Sequence, residues 1–311
     1  MNILLAGEES AGIQTLKAIT GTDHHVVAVM ASPGSNRLGS ATMWQVAENL
    51  GLPVWPAKLV KDAAFARQVR RAEVDILFNV HSLHIINSEV IGAPRIGCFN
   101  LHPGPLPRYA GLNAPNWAIF RGETSHGVTV HKMEPDIDTG HIVYQSLFNI
   151  GENDTALSVS TSCIREGVAM MIRLLETAAD APSAIPLIPQ DLSRREYFKA
   201  GAPAFDGLFR SLPARQFVNY VRASDYYPLR GPWESPRVKL GNRVISIVKA
   251  SLTGIPSTAP AGAVGGITGS GARVACIDEW VNISKLIVEG RYLNASEALN
   301  SGDQLEDVTN D

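Results

Sequence analysis

Residues 97–143 carry most of the chemical information in this chain. They read GCFNLHPGPLPRYAGLNAPNWAIFRGETSHGVTVHKMEPDIDTGHIV. The run that precedes Pro103 is apolar and bulky, which is typical of a buried strand. Pro103 ends this strand, because proline cannot donate a hydrogen bond to a sheet. Asn100 and His102 are therefore predicted to lie at a strand end.

Asn100 and His102 are two positions apart, so in a strand their side chains point to the same face, about 6.6 Å apart along the chain. The carboxyl edge of an open α/β sheet is the usual place for a ligand. A second apolar segment, 127–133, leads into a loop, 134–140, that contains carboxylates. The sequence thus predicts an amide, an imidazole and acidic side chains at one edge of a sheet.

The first half of the chain alternates between strand and helix patterns. This alternation predicts an α/β domain with a doubly wound, mostly parallel sheet and helices on both faces. Asp154 is the predicted N-cap of a long helix that closes the domain. The predicted strands before residue 97 are 1–6, 25–31, a short one near 54, and 74–80, and the predicted helices between them are near 13–19, 41–50 and 62–71.

The pattern changes after about residue 205. Short strands separated by Gly, Pro and Ser turns follow a helical segment, 213–222, which predicts a small β-barrel. The glycine-rich stretch 262–271 is interpreted as a hairpin connection. The predicted domains are therefore 1–190, a linker at 191–204, and a second domain at 205–311.

Four separated motifs stand out in this chain: Asn100-Leu101-His102-Pro103, the loop 106–111, Gly127-Val128-Thr129, and Ile137-Asp138-Thr139-Gly140. Together they resemble the signature of the folate-dependent formyltransferases. Motifs that occur together in the right order are more specific than one short pattern. Within that superfamily the chain is most similar to the methionyl-tRNA formyltransferase group, which includes sugar-modifying relatives. The resemblance implies a Rossmann-like catalytic domain, an OB-like C-terminal barrel and 10-formyltetrahydrofolate as the donor.

The resemblance implies that Asn100, His102 and Asp138 are the catalytic residues. Formyl transfer to an amine passes through a tetrahedral intermediate with an anionic oxygen, and the amine must lose a proton. Asn100 and His102 can donate hydrogen bonds to that oxygen, a role worth about 10²–10³ in rate per donor. Asp138 can hold His102 in the useful tautomer or accept the proton through water.

The resemblance also implies a set of binding residues. In the family, the pterin pocket is lined by the segment after the fourth strand, mainly through its backbone. The resemblance implies that the 134–138 loop lines it as well. The rim of the site is predicted to contact the acceptor. The predicted donor contacts are Leu83, His84, Ile85, Ile86, Glu134, Asp136 and Asp138, and the predicted acceptor contacts are Arg37, Arg108, Tyr109 and Asn113.

The charge of the loop 32–40 indicates what kind of acceptor the protein uses. In methionyl-tRNA formyltransferases the matching loop is longer and rich in Lys and Arg, which suits a phosphate backbone. Here Arg37 is its single cation, and the whole chain has a net charge of -3. These features favour a small-molecule primary amine or hydroxylamine, such as an amino sugar nucleotide or hydroxyornithine, over nucleic acid.

Three alternatives stay open at this point. The first is methionyl-tRNA as the acceptor. The second is a formyltetrahydrofolate hydrolase, in which water replaces the amine. The third is a non-catalytic folate-binding protein, which the presence of all three catalytic residues disfavours.

Two other kinds of site are not predicted. The turn at 7–12 reads GEESAG, which lacks the GxGxxG spacing, and its two carboxylates would repel a pyrophosphate. His81 and His84 have no third Cys or His clustered with them, so no metal site is predicted. These two residues, His126 and His131 are expected to be ordinary hydrogen-bonded or solvated histidines.

Composition indicates the class of protein and its compartment. The chain has 311 residues, 45% of them hydrophobic, enough for a sizeable core. Its 3 cysteines are widely spaced, which fits a reducing compartment. Neither a signal peptide nor a membrane-spanning apolar run is evident, so a cytoplasmic protein without membrane contact is expected. The oligomeric state is not indicated.

Overall fold

The computed structural model describes residues 1–34, 41–205 and 207–308. The chain forms two compact units. Unit 1 comprises Met1–Ala114, Ser125–Phe148 and Ser160–Phe198, and unit 2 comprises Pro115–Thr124, Asn149–Val159 and Lys199–Asp311.

Unit 1 is built on a sheet that has seven strands among the described residues, in the order β3-β2-β1-β4-β5-β7-β8. The pairs from β3 to β5 are parallel, whereas β7 runs antiparallel to β5. Ile3 to Ala6 are fully buried, as expected for a strand covered on both faces. The predicted mostly parallel α/β fold is confirmed. The first eight strands are β1 (Asn2–Gly7), β2 (His25–Ala31), β3 (Val54–Pro56), β4 (Ile76–Val80), β5 (Gly97–His102), β6 (Ala110–Gly111), β7 (Ser125–Lys132) and β8 (Ile142–Asn149).

Six α-helices lie among the described residues up to Asp180. The long helix that begins at Ala156 is preceded by Thr155, whose hydroxyl accepts from the Ser158 backbone N–H at 3.4 Å. Asp154, the predicted N-cap, instead accepts from the Gly151 N–H at 2.7 Å. No helix along the described ranges is long and apolar enough to cross a membrane. The helices are α1 (Glu9–Thr20), α2 (Met43–Asn49), α3 (Phe65–Arg71), α4 (Ser88–Ile91), α5 (Ala114–Phe120) and α6 (Ala156–Asp180), with 3-10 turns at Ala57–Lys61, Pro182–Ala184 and Leu192–Arg194.

Unit 2 contains a curled antiparallel sheet in the order β12-β13-β14-β11-β10-β16, with β15 also paired to β14. Register shifts interrupt the pairing of the two longest strands, and such bulges increase the local twist. This half-barrel matches the predicted small β domain, and the OB-like assignment stays a prediction. The remaining elements are β9 (Tyr197–Phe198), α7 (Leu208–Ser211), α8 (Ala214–Ser224), β10 (Arg237–Leu240), β11 (Arg243–Pro256), β12 (Val264–Thr268), β13 (Gly271–Ala275), β14 (Glu279–Val288), β15 (Arg291–Asn294), a 3-10 turn at Ala295–Glu297, and β16 (Glu306–Asp307).

The glycine-rich stretch 262–271 differs from its predicted structure. It contains strand β12, which pairs with β13, so the hairpin turn is confined to the residues between them. A Cβ on Gly265 would lie 2.5 Å from the Trp280 ring. Glycine is therefore used here because the indole lies directly against the strand.

The unit boundary also differs from the sequence-based interpretation, which assigned residues 115–124 and 149–159 to the first domain. Both segments group with unit 2. The physical reason is aromatic packing, since the Trp117 ring lies 5.0 Å from that of Trp233 and the Phe120 ring lies 6.0 Å from that of Tyr220. Large aromatic side chains dominate the burial of apolar surface in such a core.

Candidate active site

The candidate site in unit 1 lies where β5 and β7 run side by side. Asn100 pairs with His131, and His102 pairs with Thr129. Residues two apart in a strand share a face, so these four side chains line one patch. All four are buried, with relative exposures of 9%, 3%, 0% and 2% for Asn100, His102, Thr129 and His131.

The Asn100 amide is oriented by a row of hydrogen bonds across β4, β5 and β7. Asn79 Nδ2 donates to Asn100 Oδ1 at 2.8 Å, and Asn100 Nδ2 lies 3.0 Å from His131 Nε2. His131 Nδ1 lies 3.0 Å from the Lys132 carbonyl oxygen, which can only accept. With its proton on Nδ1, the His131 ring accepts from Asn100 at Nε2. The second amide hydrogen of Asn100 is left for a ligand.

The His102 ring is held by the backbone of the following loop. Its Nε2 lies 2.7 Å from the Tyr109 carbonyl oxygen, so Nε2 must carry a proton. The nitrogen that can exchange a proton with a substrate is then Nδ1. A Cβ on Gly104 would lie 2.7 Å from His102 Nε2 and 2.8 Å from the Tyr109 oxygen, so only glycine fits beside this hydrogen bond.

The Asp138 carboxylate completes the group. Its Oδ2 accepts from the Gly111 N–H at 2.8 Å and lies 3.5 Å from His102 Nδ1, while its Oδ1 lies 3.4 Å from His131 Nε2. Burial acts to raise the pKa of Asp138, but His102, His131 and the Gly111 N–H outweigh it and hold that pKa well below its usual range. Asp138 is therefore ionised at neutral pH.

Burial lowers the pKa of two histidines at the site, His102 and His81. Burial lowers the pKa of His102, and the Asp138 charge and the Tyr109 hydrogen bond oppose this only in part. Burial, followed by the proximity of His102, lowers the pKa of His81 to about 4. A neutral His102 with an unprotonated Nδ1 can accept a proton, and the resulting imidazolium would face the Asp138 carboxylate.

Several non-glycine residues around the site have left-handed backbone conformations. The φ values are 57° for His81, 59° for Tyr109, 59° for Asn113 and 56° for Asp138. Such conformations cost about 1–3 kcal/mol each and cluster at functional sites. Two of them act directly, because Tyr109 presents its carbonyl to His102 and Asp138 presents its carboxylate to the same ring.

The predicted donor contacts vary in exposure. Leu83 and Ile85 are 68% and 71% exposed, whereas Ile86 is only 4% exposed and packs in the core. Contact with a donor through Ile86 is therefore restricted to its backbone. His84 is half-buried, and Glu134 and Asp136 are exposed.

The structure changes the interpretation of Tyr109, which the sequence predicts to contact the acceptor. Its ring is 1% exposed and stacks on Phe198 with a centroid separation of 5.1 Å. The ring is thus packed in the protein, and the carbonyl is the group that serves the site. The Arg108 guanidinium lies 3.3 Å from Glu196, and half-buried Asn113 directly precedes α5. Arg37 lies outside the described residues.

Sequence reasoning missed Asn79, Thr129 and His131. Thr129 donates to the Gly104 carbonyl at 2.7 Å and accepts from the Leu106 N–H at 3.2 Å, so it fixes the proline-rich loop. The available signal was the spacing of Thr129 and His131, which matches the two-residue spacing of the polar pair on β5. The pairing register, which brings the two pairs together, is not visible in the sequence.

Together these residues form an Asn-His-Asp group at the edge of a mostly parallel sheet. One amide N–H and one basic imidazole nitrogen are available, beside a carboxylate that is ionised. This set can stabilise an oxyanion and move a proton without a covalent intermediate. These are the functions that the transfer of a group at a carbonyl carbon requires of an enzyme.

Comparisons with known proteins agree with this class. Residues 1–175 match the family described as Formyl transferase. A methionyl-tRNA formyltransferase from Parabacteroides distasonis is 27% identical over 327 residues, covering 99% of this chain and 98% of that protein. This chain belongs to the formyltransferase family, and the protein is a transferase.

Two solved structures share the fold. One is an N-formyltransferase from Helicobacter canadensis in complex with folinic acid and dTDP-3-aminofucose, with a TM-score of 0.64 at 18% identity, covering 90% of this chain and 98% of that one. The other is WlaRD, a sugar 3N-formyl transferase with dTDP and 5-N-formyl-THF, with a TM-score of 0.66 at 19% identity, covering 91% and 97%.

Proposed function

We propose that this protein is an N-formyltransferase that moves a formyl group from 10-formyltetrahydrofolate to the amine of a small molecule. The observation that carries the proposal is the convergence of Asn100, His102 and Asp138 with fixed proton positions. His102 Nε2 is committed to the Tyr109 carbonyl, so Nδ1 faces Asp138 at 3.5 Å as the one basic nitrogen of that ring.

Each of the three side chains has a distinct role in the proposed reaction. The second N–H of Asn100 donates to the formyl oxygen as it becomes anionic, which is worth about 10²–10³ in rate. His102 Nδ1 takes the proton that the attacking amine loses and returns it to the nitrogen that leaves. Asp138 stabilises the imidazolium formed in between. General base and acid assistance of this kind contributes about 10²–10⁴.

The donor supplies an activated formyl group, and the residues around the site suit its pterin ring. Leu83 and Ile85 are large apolar side chains that are mostly exposed, a surface on which a planar ring can lie. The backbone of 83–86 and the 134–138 loop would meet the polar edge of the ring. Both structural neighbours named above were solved with a formylated folate, which supports this donor.

A small amine acceptor is favoured over tRNA by the distribution of charge. Residues 205–311 contain equal numbers of basic (Lys plus Arg) and acidic (Asp plus Glu) residues, eleven each. Nucleic-acid-binding domains usually carry a basic face, because affinity comes largely from phosphate contacts. An amino sugar nucleotide, or an amino-acid-derived amine or hydroxylamine such as hydroxyornithine, is the proposed acceptor class.

Methionyl-tRNA is the second candidate acceptor. It is favoured by the relative from Parabacteroides distasonis, which aligns with 99% of this chain. Binding to tRNA would be electrostatic and would weaken steeply with salt. Tight, salt-sensitive binding of initiator methionyl-tRNA, with formylation of its amine, would replace the small-molecule proposal.

The deciding experiment uses 10-formyltetrahydrofolate labelled with ¹³C in the formyl group. The protein is incubated with a panel of amino sugar nucleotides, amino-acid-derived amines and methionyl-tRNA, and labelled amide and labelled formate are quantified by mass spectrometry. Labelled amide on a small molecule is the expected result. Formate alone, with no amide product, would identify a hydrolase and overturn the proposal.

A further inference from the structure

Residues 190–198 form a segment with defined hydrogen bonds, and most of it lies in the predicted linker, 191–204. This segment, called the strap below, lies across the two loops that carry the catalytic groups. The first loop, 106–112, supplies the Tyr109 carbonyl that holds His102 and the Gly111 N–H that holds Asp138. The second loop, 137–140, supplies Asp138 itself.

Gln190 contacts the second loop. Its side-chain Nε2 donates to the Asp138 carbonyl at 2.9 Å and to the Gly140 carbonyl at 2.6 Å. One amide group therefore cross-links two backbone positions around Asp138, whose φ is 56°. Arg195, further along the strap, donates from Nη2 to the Ile137 carbonyl at 2.9 Å.

The other end of the strap contacts the first loop. Strand β9 pairs in parallel with β6, with Ala110 opposite Tyr197 and Gly111 opposite Phe198. The Ala110 N–H donates to the Glu196 carbonyl at 2.8 Å. A Cβ on Gly111 would collide with the Phe198 carbonyl, so a glycine with φ of 92° is needed for this close approach.

We propose that the strap positions both catalytic loops, and that Gln190 is the residue that sets the position of Asp138 relative to His102. This inference rests on the proposed function for its kinetic consequence. The physical argument is that the two N–H groups of Gln190 hold the carbonyls of Asp138 and Gly140, on either side of Thr139, in a loop with a left-handed residue. Removal of either bond lets this loop relax. A misplacement of about 1 Å costs about 10²-fold in rate.

The test compares Gln190→Ala and Gln190→Glu with wild type. Alanine removes both hydrogen bonds, and glutamate places carboxylate oxygens against two carbonyl oxygens while keeping the side-chain volume. The matched controls are Gln68→Ala and Gln68→Glu, since Gln68 is exposed on α3. We expect kcat to fall about 10–100-fold in both Gln190 variants and to stay within about twofold of wild type in the controls.

The second readout follows His102 without any turnover. The ¹⁵N chemical shifts of its ring nitrogens, measured by NMR as a function of pH, report the tautomer and the pKa of the ring. The Asp138 carboxylate raises the His102 pKa, so its displacement in Gln190→Ala shifts the His102 titration to lower pH. A purely structural role for Gln190 would lower Tm and leave this titration in place.

The outcomes separate this inference from the proposed function. An unchanged His102 titration in both Gln190 variants overturns the positioning role, whatever happens to kcat or Tm. If alanine prevents folding, Gln190→Glu provides the same readouts. If wild type formylates no amine, the proposed function fails, and a shifted His102 titration still supports the role of the strap.

Discussion

Asn100 on β5 and His131 on β7 face each other, with Asn100 Nδ2 3.0 Å from His131 Nε2. Together with the bond from Asn79 to Asn100 Oδ1, this contact fixes which end of the amide carries its hydrogens. The direction of the amide matters because only its N–H end can stabilise an oxyanion. His131 therefore helps to orient the Asn100 amide, although it does not need to touch the substrate.

Substitution of His131 tests this relationship directly. In His131→Ala the Asn100 amide loses one of its two partners, and a hydrogen bond is worth about 0.5–1.5 kcal/mol net. We expect kcat to fall about 10-fold, since 1.4 kcal/mol corresponds to a factor of ten, while acceptor KM changes little. His25→Ala, at an exposed position that begins β2, is the control. Equal kcat values for His131→Ala and wild type would contradict the orienting role.

The roles of Asn100 and Asp138 can be tested independently with isosteric substitutions. Asn100→Asp replaces the N–H with oxygen, and the lost oxyanion donor should lower kcat by about 10²–10³. Asp138→Asn keeps the shape and can still accept from the Gly111 N–H, but it removes the charge that faces His102. We expect a fall of at least about 10²-fold there as well.

Both variants should fold, because each keeps the volume of the side chain. Circular dichroism and thermal unfolding check this, and steady-state formyl transfer gives the rates. Near-normal turnover in either variant would remove the assigned role of that residue.

Gly104 should be intolerant of even a methyl group. In Gly104→Ala the new Cβ would press against His102 Nε2 and the Tyr109 oxygen, at 2.7 and 2.8 Å, and disturb the hydrogen bond between them. We expect kcat to fall by about 10²-fold through misplacement of the imidazole. Gly266→Ala is the matched control, because a Cβ there has no neighbour within 4 Å. A Gly104→Ala enzyme with normal kcat would show that the Tyr109 contact does not matter.

The pH dependence of activity follows from the lowered pKa of His102. A base works only when it is unprotonated, so kcat/KM should rise with pH, with a midpoint below 6.5, and then level off. In Asp138→Asn the charge that raises the His102 pKa is absent, so the residual activity should show its midpoint at still lower pH. Profiles of kcat/KM from pH 4.5 to 8 check this, and a midpoint above 6.5 in wild type would refute it.

His81 should make stability depend on pH. Its pKa is about 4 in the folded protein, against an ordinary value of 6.5. Below pH 6.5 the unfolded chain binds the proton more readily than the folded protein does. The free energy of unfolding therefore decreases as pH falls. Between pH 7 and 5 this amounts to about 1–2 kcal/mol. Asparagine tolerates the left-handed backbone at this position. Measured by urea unfolding, the free energy of unfolding of His81→Asn should therefore fall by that much less between pH 7 and 5 than that of wild type. An equal fall in both proteins would contradict the prediction.

The sequence predicted the elements of the fold well where periodicity is strong. The second strand was predicted at 25–31, where the structure has His25–Ala31, and the strand that ends at His102 was also found. The glycine-rich stretch around β12 was misjudged, because glycine usually interrupts a strand, whereas here it makes room for Trp280. Residues 115–124 were assigned to the first domain but group with unit 2, since sequence proximity does not reveal which aromatic cluster a helix joins.

The sequence by itself determined which chemical groups are available: an amide and an imidazole two residues apart at a strand end, and an acid in a loop before glycine. Only the tertiary structure decided how these groups are oriented. The pairing register of β5 and β7 brings His131 to Asn100, and the Tyr109 carbonyl leaves Nδ1 as the basic nitrogen of His102. The reason is that strand periodicity is local, whereas register and hydrogen-bond direction depend on contacts between residues distant along the chain.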